Sequence, residues 1–171
     1  MRNVPPPLVT PYADLLEVCA SSRGDGVGVF ARGGPIEAGA LVCWYAGRLA
    51  YPQRRNDLPV AHRDLAMHIP ADRNGPVHAA EYRVIDASWA AAVRDAALSG
   101  DAQNTSAETR SVVGALMKTA RDPSQANVKC ERDYDDANAT RVVDGVAAHP
   151  MYATRKIEIG EELLWFWAFG E

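Results

Sequence analysis

The chain has 171 residues, 47% hydrophobic and 23% charged, enough apolar side chain for one domain with a real core and too much for a disordered polymer. A net charge of −4 gives no electrostatic basis for nucleic acid or an anionic membrane as the main partner. Cys19, Cys43 and Cys130 lie far apart with no CxxC pair, no run approaches a membrane span, and residues 1–18 lack the apolar centre of a secretory signal, so reduced thiols and an intracellular, nuclear or cytoplasmic setting are expected.

Residues 1–14 carry Pro5, Pro6, Pro7 and Pro11 and read as an extended leader laid on the surface of a domain spanning 15–171. "LLEVCAS" and "VGVFAR" read as strands separated by the glycine turn "SRGDGVG". "GGPIEAG" is a second turn, and "ALVCWYAGRLA" is a long strand ending near Gly47. Residues 50–64 are polar and irregular. "LAMHIP" and "EYRVIDA" read as short strands around a turn with Asn74-Gly75 at its tip.

The texture then becomes helical. In "SWAAAVRDAALSG", Trp89, Val93, Ala96 and Ala97 share one face, and Gly100 stands where a C-terminal cap belongs. "TSAETRSVVGALMKTA" reads as a second helix, capped by Thr105 and Glu108 and striped by Val112, Val113, Leu116 and Met117. "ANVKCER", "RVVDGV", "HPMYATRKI" and the closing run return to strands and turns, with "DYDDANAT" between them. Strands and helices do not alternate, so a mainly β domain with a small helical insert at about 88–113 is predicted, rather than a wound parallel sheet. His62, His68, His78 and His149 are scattered and read as structural or surface residues, and no metal is expected.

Two segments echo one another: "GVGVFARGGPIEAGALV" and "PMYATRKIEIGEELLWF". Each runs strand, isoleucine, glycine turn, strand. The first carries Gly26, Gly28, Phe30, Ala31, Ile36 and Gly39, and the strand it leads into ends with Tyr45 and Gly47. The second carries Ala153, Thr154, Arg155, Ile157, Gly160, Glu161, Glu162 and Leu163, and between them stand Tyr82, Ile85, Asp86 and Ala87. In that order these motifs resemble a SET domain, the fold of protein-lysine methyltransferases that use S-adenosylmethionine. "KTARDPSQANVKC" is similar to the divergent PR branch, through Ala120, Arg121, Asp122 and Asn127.

The resemblance implies a β-clip of short sheets with a threaded, pseudoknot-like C-terminal segment. It also implies transfer of a methyl group to a lysine of a histone tail or another basic protein, with no direct nucleic acid and no membrane. The backbone of Gly26, Val27, Gly28 and Val29 would approach the cofactor. Lys118 and Thr119 stand where the family has an Asn-His pair, and Tyr45 would line the lysine channel. The catalytic tyrosine position falls on Trp167, or on Phe169 before Gly170 if the register shifts by two. Those departures keep a second reading open, a SET-like module whose chemistry has lapsed and which binds a protein or peptide partner. An unrelated β domain with similar glycine turns is the third.

Overall fold

The computed structural model describes residues 4–50, 57–69, 83–101, 105–130 and 140–166. Strands β1 (Leu16–Ala20) and β2 (Val27–Ala31) form an antiparallel hairpin. A second, mixed sheet holds β3 (Leu41–Ala50), β4 (Ala66–Ile69), β5 (Arg83–Asp86), β6 (Lys118–Thr119), β7 (Val128–Cys130), β8 (Arg141–Val143), β9 (Val146–Ala153) and β10 (Leu164–Trp165). Its order is β4-β5-β3-β9-β7-β10-β6, with β8 paired to β9. Helices α1 (Val60–Arg63), α2 (Ala90–Leu98) and α3 (Ala107–Arg110) are short. The domain is mainly β, as its sequence implies.

The strands follow the chemistry of their residues. β2 is all small or apolar, and every one of its residues is buried. β3 runs past Gly47 to Ala50, because β5 pairs with its far end from Arg48 to Ala50. β8 and β9 meet through Asp144-Gly145, both at positive φ, which is the two-residue turn whose twist suits a tight hairpin. α2 ends at Leu98, and Gly100 follows the C-cap Ser99 at φ 88, as the capping pattern predicts.

Two expectations need correction. The leader does not lie on the surface. Leu8 is fully buried against Trp44, Ala46, Val112 and Ala148, and Thr10 donates from Oγ1 to Val42 O at 3.0 Å while Ser111 Oγ accepts from its N–H. Nor is 105–120 one helix. Ser106, not Thr105, is the N-cap, accepting from Thr109 N–H, and α3 stops at Arg110. Trp44 N–H donates to Ser111 O and Tyr45 bridges Val113, so the backbone there is drawn onto β3. Gly114–Leu116 then forms a separate 3₁₀ turn. The apolar stripe is buried as foreseen, but tertiary pairing overrides helix periodicity.

The two echoing segments face each other across a local two-fold. Ile36 and Ile157 exchange both backbone hydrogen bonds at 2.9 Å. Gly39 N–H donates to Ala153 O, and Gly160 N–H donates to Ala31 O. Ala153 N–H reaches Ala40 O, as Ala31 N–H reaches Glu161 O. Each I-x-x-G turn thus closes on the strand end that enters the other, with its glycine at φ 78 or 88.

β10 completes the knot. It lies parallel to both β6 and β7 and between them, and the connection 120–127 crosses it. Ala120 N–H donates to Trp165 O at 2.7 Å on one side, and Asn127 N–H donates to Leu164 O at 2.9 Å on the other. Such threading departs from the general avoidance of crossed connections.

Candidate functional site

The buried side chain of Asn127 holds the threaded segment by both of its groups. Nδ2 donates to Glu162 O at 2.9 Å, and Oδ1 accepts from Leu164 N–H at 2.8 Å. Glu162 in turn fixes the β1–β2 turn. Its carboxylate accepts from Ser21 Oγ and Ser22 Oγ, each at 2.6 Å, and from Ser22 N–H at 3.1 Å. It lies over Gly28, where a Cβ would collide with Oε1. Gly28 is therefore small because a buried acid occupies its side-chain space.

Across this junction opens a cavity of about 320 Å³, lined by Arg23 from the turn, Lys118 and Thr119 from β6, and Arg121 and Gln125 from the crossing connection. Two bonds span it. Lys118 Nζ donates to Asp25 O at 2.6 Å, and Arg23 Nη1 donates to Gln125 Oε1 at 3.2 Å. Asp122 caps the 3₁₀ turn Pro123–Gln125 by accepting from Ser124 N–H and Oγ, and those bonds hold its carboxyl below the usual range. Among the described residues no carboxylate pairs with Arg23, Lys118 or Arg121, so the lining is cationic.

Tyr45 lies on β3, paired with His149 of β9. It is buried, and its ring tilts against Trp165 at 59° with centroids 6.3 Å apart. Trp165 is the register partner of Thr119, which lines the cavity. Burial, with Cys130 and Asp86 nearby, pushes the Tyr45 phenol far above its ordinary value, so its hydroxyl keeps its proton.

The sequence-derived site residues therefore separate into groups. Lys118 and Thr119 line the cavity, and Gly26 lies beside it, its missing Cβ 3.4 Å from Lys118 Nζ. Val27 and Val29 put their side chains into the core, and Val29 O accepts from Leu163 N–H. Tyr45 is placed beside Trp165, while Trp167 and Phe169 lie outside the described residues, as do Tyr82 and His78. Arg23, Gln125, Ser21 and Ser22 escaped sequence reading, because nothing in their local pattern marks them. Arg121, Asn127 and Glu162 were visible only as motif positions. Among the described residues no group of three His, Cys, Asp or Glu could hold a metal, and no helix is long and apolar enough to cross a membrane.

No family model and no curated protein matches this chain. Solved structures do. ATXR5 in complex with mono-methylated histone H3.1 aligns with TM-score 0.55 at 18% identity, over 92% of this chain and 58% of that one. The Plasmodium falciparum protein PFL0690c, described as a candidate histone methyltransferase, aligns with TM-score 0.51 at 14% identity, over 91% and 94% of the two chains. CpSET8 from Cryptosporidium aligns with TM-score 0.54 at 16% identity, over 90% and 57%.

The chain has a SET fold.

It spans about three fifths of the ATXR5 and CpSET8 chains. The SET fold accounts for the mutual pairing of the two I-x-x-G segments and for the strand threaded beneath 120–127. It also gives the cavity its place, where the hairpin turn meets the crossing connection.

Proposed function

We propose that this SET domain is a protein-lysine N-methyltransferase that takes S-adenosylmethionine in the cavity beside Lys118 and Thr119. The observation that carries this reading is convergence: the β1–β2 turn, β6 and the connection 120–125 meet at one cavity in a fold shared with histone methyltransferases. The cavity's size lies in the range of small-molecule sites, and its lining suits the carboxylate end of the cofactor. Arg23, Lys118 and Arg121 would hold that carboxylate, while Thr119 and Gln125 offer polar contacts. The cofactor supplies an activated methyl group, and the protein supplies position and dryness.

The acceptor lysine must be neutral to attack. Tyr45 and Trp165, buried and in tilted contact, would wall a lysine channel, disfavouring the ammonium and offering aromatic faces to the charge that develops on nitrogen. Tyr45, held protonated, can direct its hydroxyl at that nitrogen without adding a negative charge. The substrate we favour is a lysine in a basic protein such as a histone tail, since ATXR5 is solved with histone H3. The setting that goes with this reading is nuclear or cytoplasmic.

The test is incubation with methyl-labelled cofactor and a panel of lysine-bearing histone and non-histone peptides. Label on a lysine is expected. Cofactor binding without transfer to any peptide would favour the second reading, a lapsed SET-like binding module. The replacement of the family's Asn-His pair by Lys118 and Thr119 gives that reading its footing.

A further inference from the structure

Strand register brings a buried titratable group beside Tyr45 that the proposed reaction does not use. His149 of β9 is the cross-strand partner of Tyr45, so both side chains leave the same face of the sheet, with Cβ atoms about 4.5–5.5 Å apart. Cys43 faces it from β3, and Cys130 lies diagonally across on β7, where it pairs with Met151. Asp86 of β5 reaches Tyr45 electrostatically and is already engaged by Ser88 and His62. Arg141 of β8 belongs to the opposite face, where its guanidinium lies over the Trp44 ring. Val113 and Trp165, which also meet Tyr45, carry no charge. Burial pushes the Cys43 thiol and the Tyr45 phenol far up, so both keep their protons where an imidazole ordinarily changes charge. His149 is itself buried, and its Nδ1 lies 3.0 Å from Thr140 Oγ1. A hydroxyl can donate to a neutral imidazole nitrogen and accept from a protonated one. The ring can therefore gain or lose a proton and keep this hydrogen bond.

We propose that His149 gates the acceptor channel by charge: neutral, it admits the lysine to Tyr45, and protonated, it repels the incoming side chain. The inference rests on the lysine-transfer reading above. His149 is a positioning residue, acting on where the acceptor nitrogen settles and taking no part in bond making. The acceptor arrives as an ammonium, releases a proton to solvent and attacks as the amine. One proton must therefore leave before transfer, whatever the state of His149. An imidazolium beside Tyr45 adds a second requirement. Two like charges in a poorly solvated channel repel far more than in water, and the charge developing on nitrogen during transfer meets the same repulsion. Thr140 is half-buried just before β8, and Val142, on the same face, is exposed. The Thr140 end of the hydrogen bond thus lies toward solvent, which gives the ring a short route for its proton.

The pH dependence of kcat/KM for the best-labelled peptide of the panel above, with the whole chain and saturating methyl donor, tests this. On the alkaline side its logarithm should rise with pH at a slope of about one, and below a break between about pH 5 and 8 the slope should approach about two. Activity should then fall about a hundredfold per pH unit, against about tenfold when the acceptor lysine alone titrates. His149→Asn and His149→Leu should hold the single-proton slope throughout, whatever they do to kcat, an effect that a merely structural role would not produce. His62→Gln, on α1, should keep the break. The His149 ring resonances of the unmodified chain should titrate at the pH of the break, a readout that does not depend on how well the variants fold. A single-proton slope throughout in the unmodified chain, a break that survives in His149→Asn, or ring resonances that do not move at the break would overturn the inference while leaving the lysine-transfer reading intact. No transfer to any peptide at any pH would overturn that reading, and this inference with it.

Discussion

At Gly28 any larger residue meets the carboxylate of Glu162, which Ser21 and Ser22 already hold. Gly28→Ala should push that carboxylate off its partners and cost about 1–3 kcal/mol in urea unfolding. In a Glu162→Ala background the same change should cost little, and a double-mutant cycle reads the difference. Asp86 sets a second residue-scale effect. Burial pushes its carboxyl up, but hydrogen bonds from Ser88 and the neighbouring charge of His62 outweigh burial and leave it below its ordinary value. A depressed carboxyl stabilises the fold fully above the ordinary carboxylate range, and the contribution drains away as pH falls through the folded value. Stability measured below about pH 4 should therefore drop with pH, and Asp86→Asn should flatten that limb. Asp86 was legible as a motif position, but its partner His62 was not. Their contact joins residues 24 apart through α1, which has no strong local signature.

At the scale of elements, β10 is only two residues long and depends on what grips it. Asn127→Leu would leave Glu162 O and Leu164 N–H buried without their side-chain partner. A loss of about 2–4 kcal/mol in unfolding free energy is expected, with β10 amide protons losing exchange protection first. The wall of the proposed channel rests on the same strand. Trp165→Ala should remove the tilted contact with Tyr45, costing about 3–5 kcal/mol as a core truncation, with transfer falling further than stability alone explains. The alternating and apolar runs made β1, β2, β4 and β5 legible. The segment after Arg110 was not, because its apolar spacing suits a helix while its backbone bonds go to Trp44 and Tyr45. A single sequence shows the period of side chains but not the strand waiting to receive them.

For the whole molecule, the repeat of the I-x-x-G segment was the most legible feature, and it proved to be the closure of the fold. Ile36 and Ile157 pair, and each glycine turn closes on the strand that enters the other. The candidate site was legible in part. Lys118 and Thr119 were found by their place in a motif, whereas Arg23 and Gln125 enter only because threading β10 carries the crossing connection up against the hairpin turn. We propose this junction as the place where the methyl donor binds. Hydrogen exchange of the chain with and without S-adenosylmethionine tests it most directly. Slowed exchange concentrated in residues 21–28 and 117–126 is the predicted result; unchanged exchange at saturating ligand, or protection confined to other elements, would contradict it.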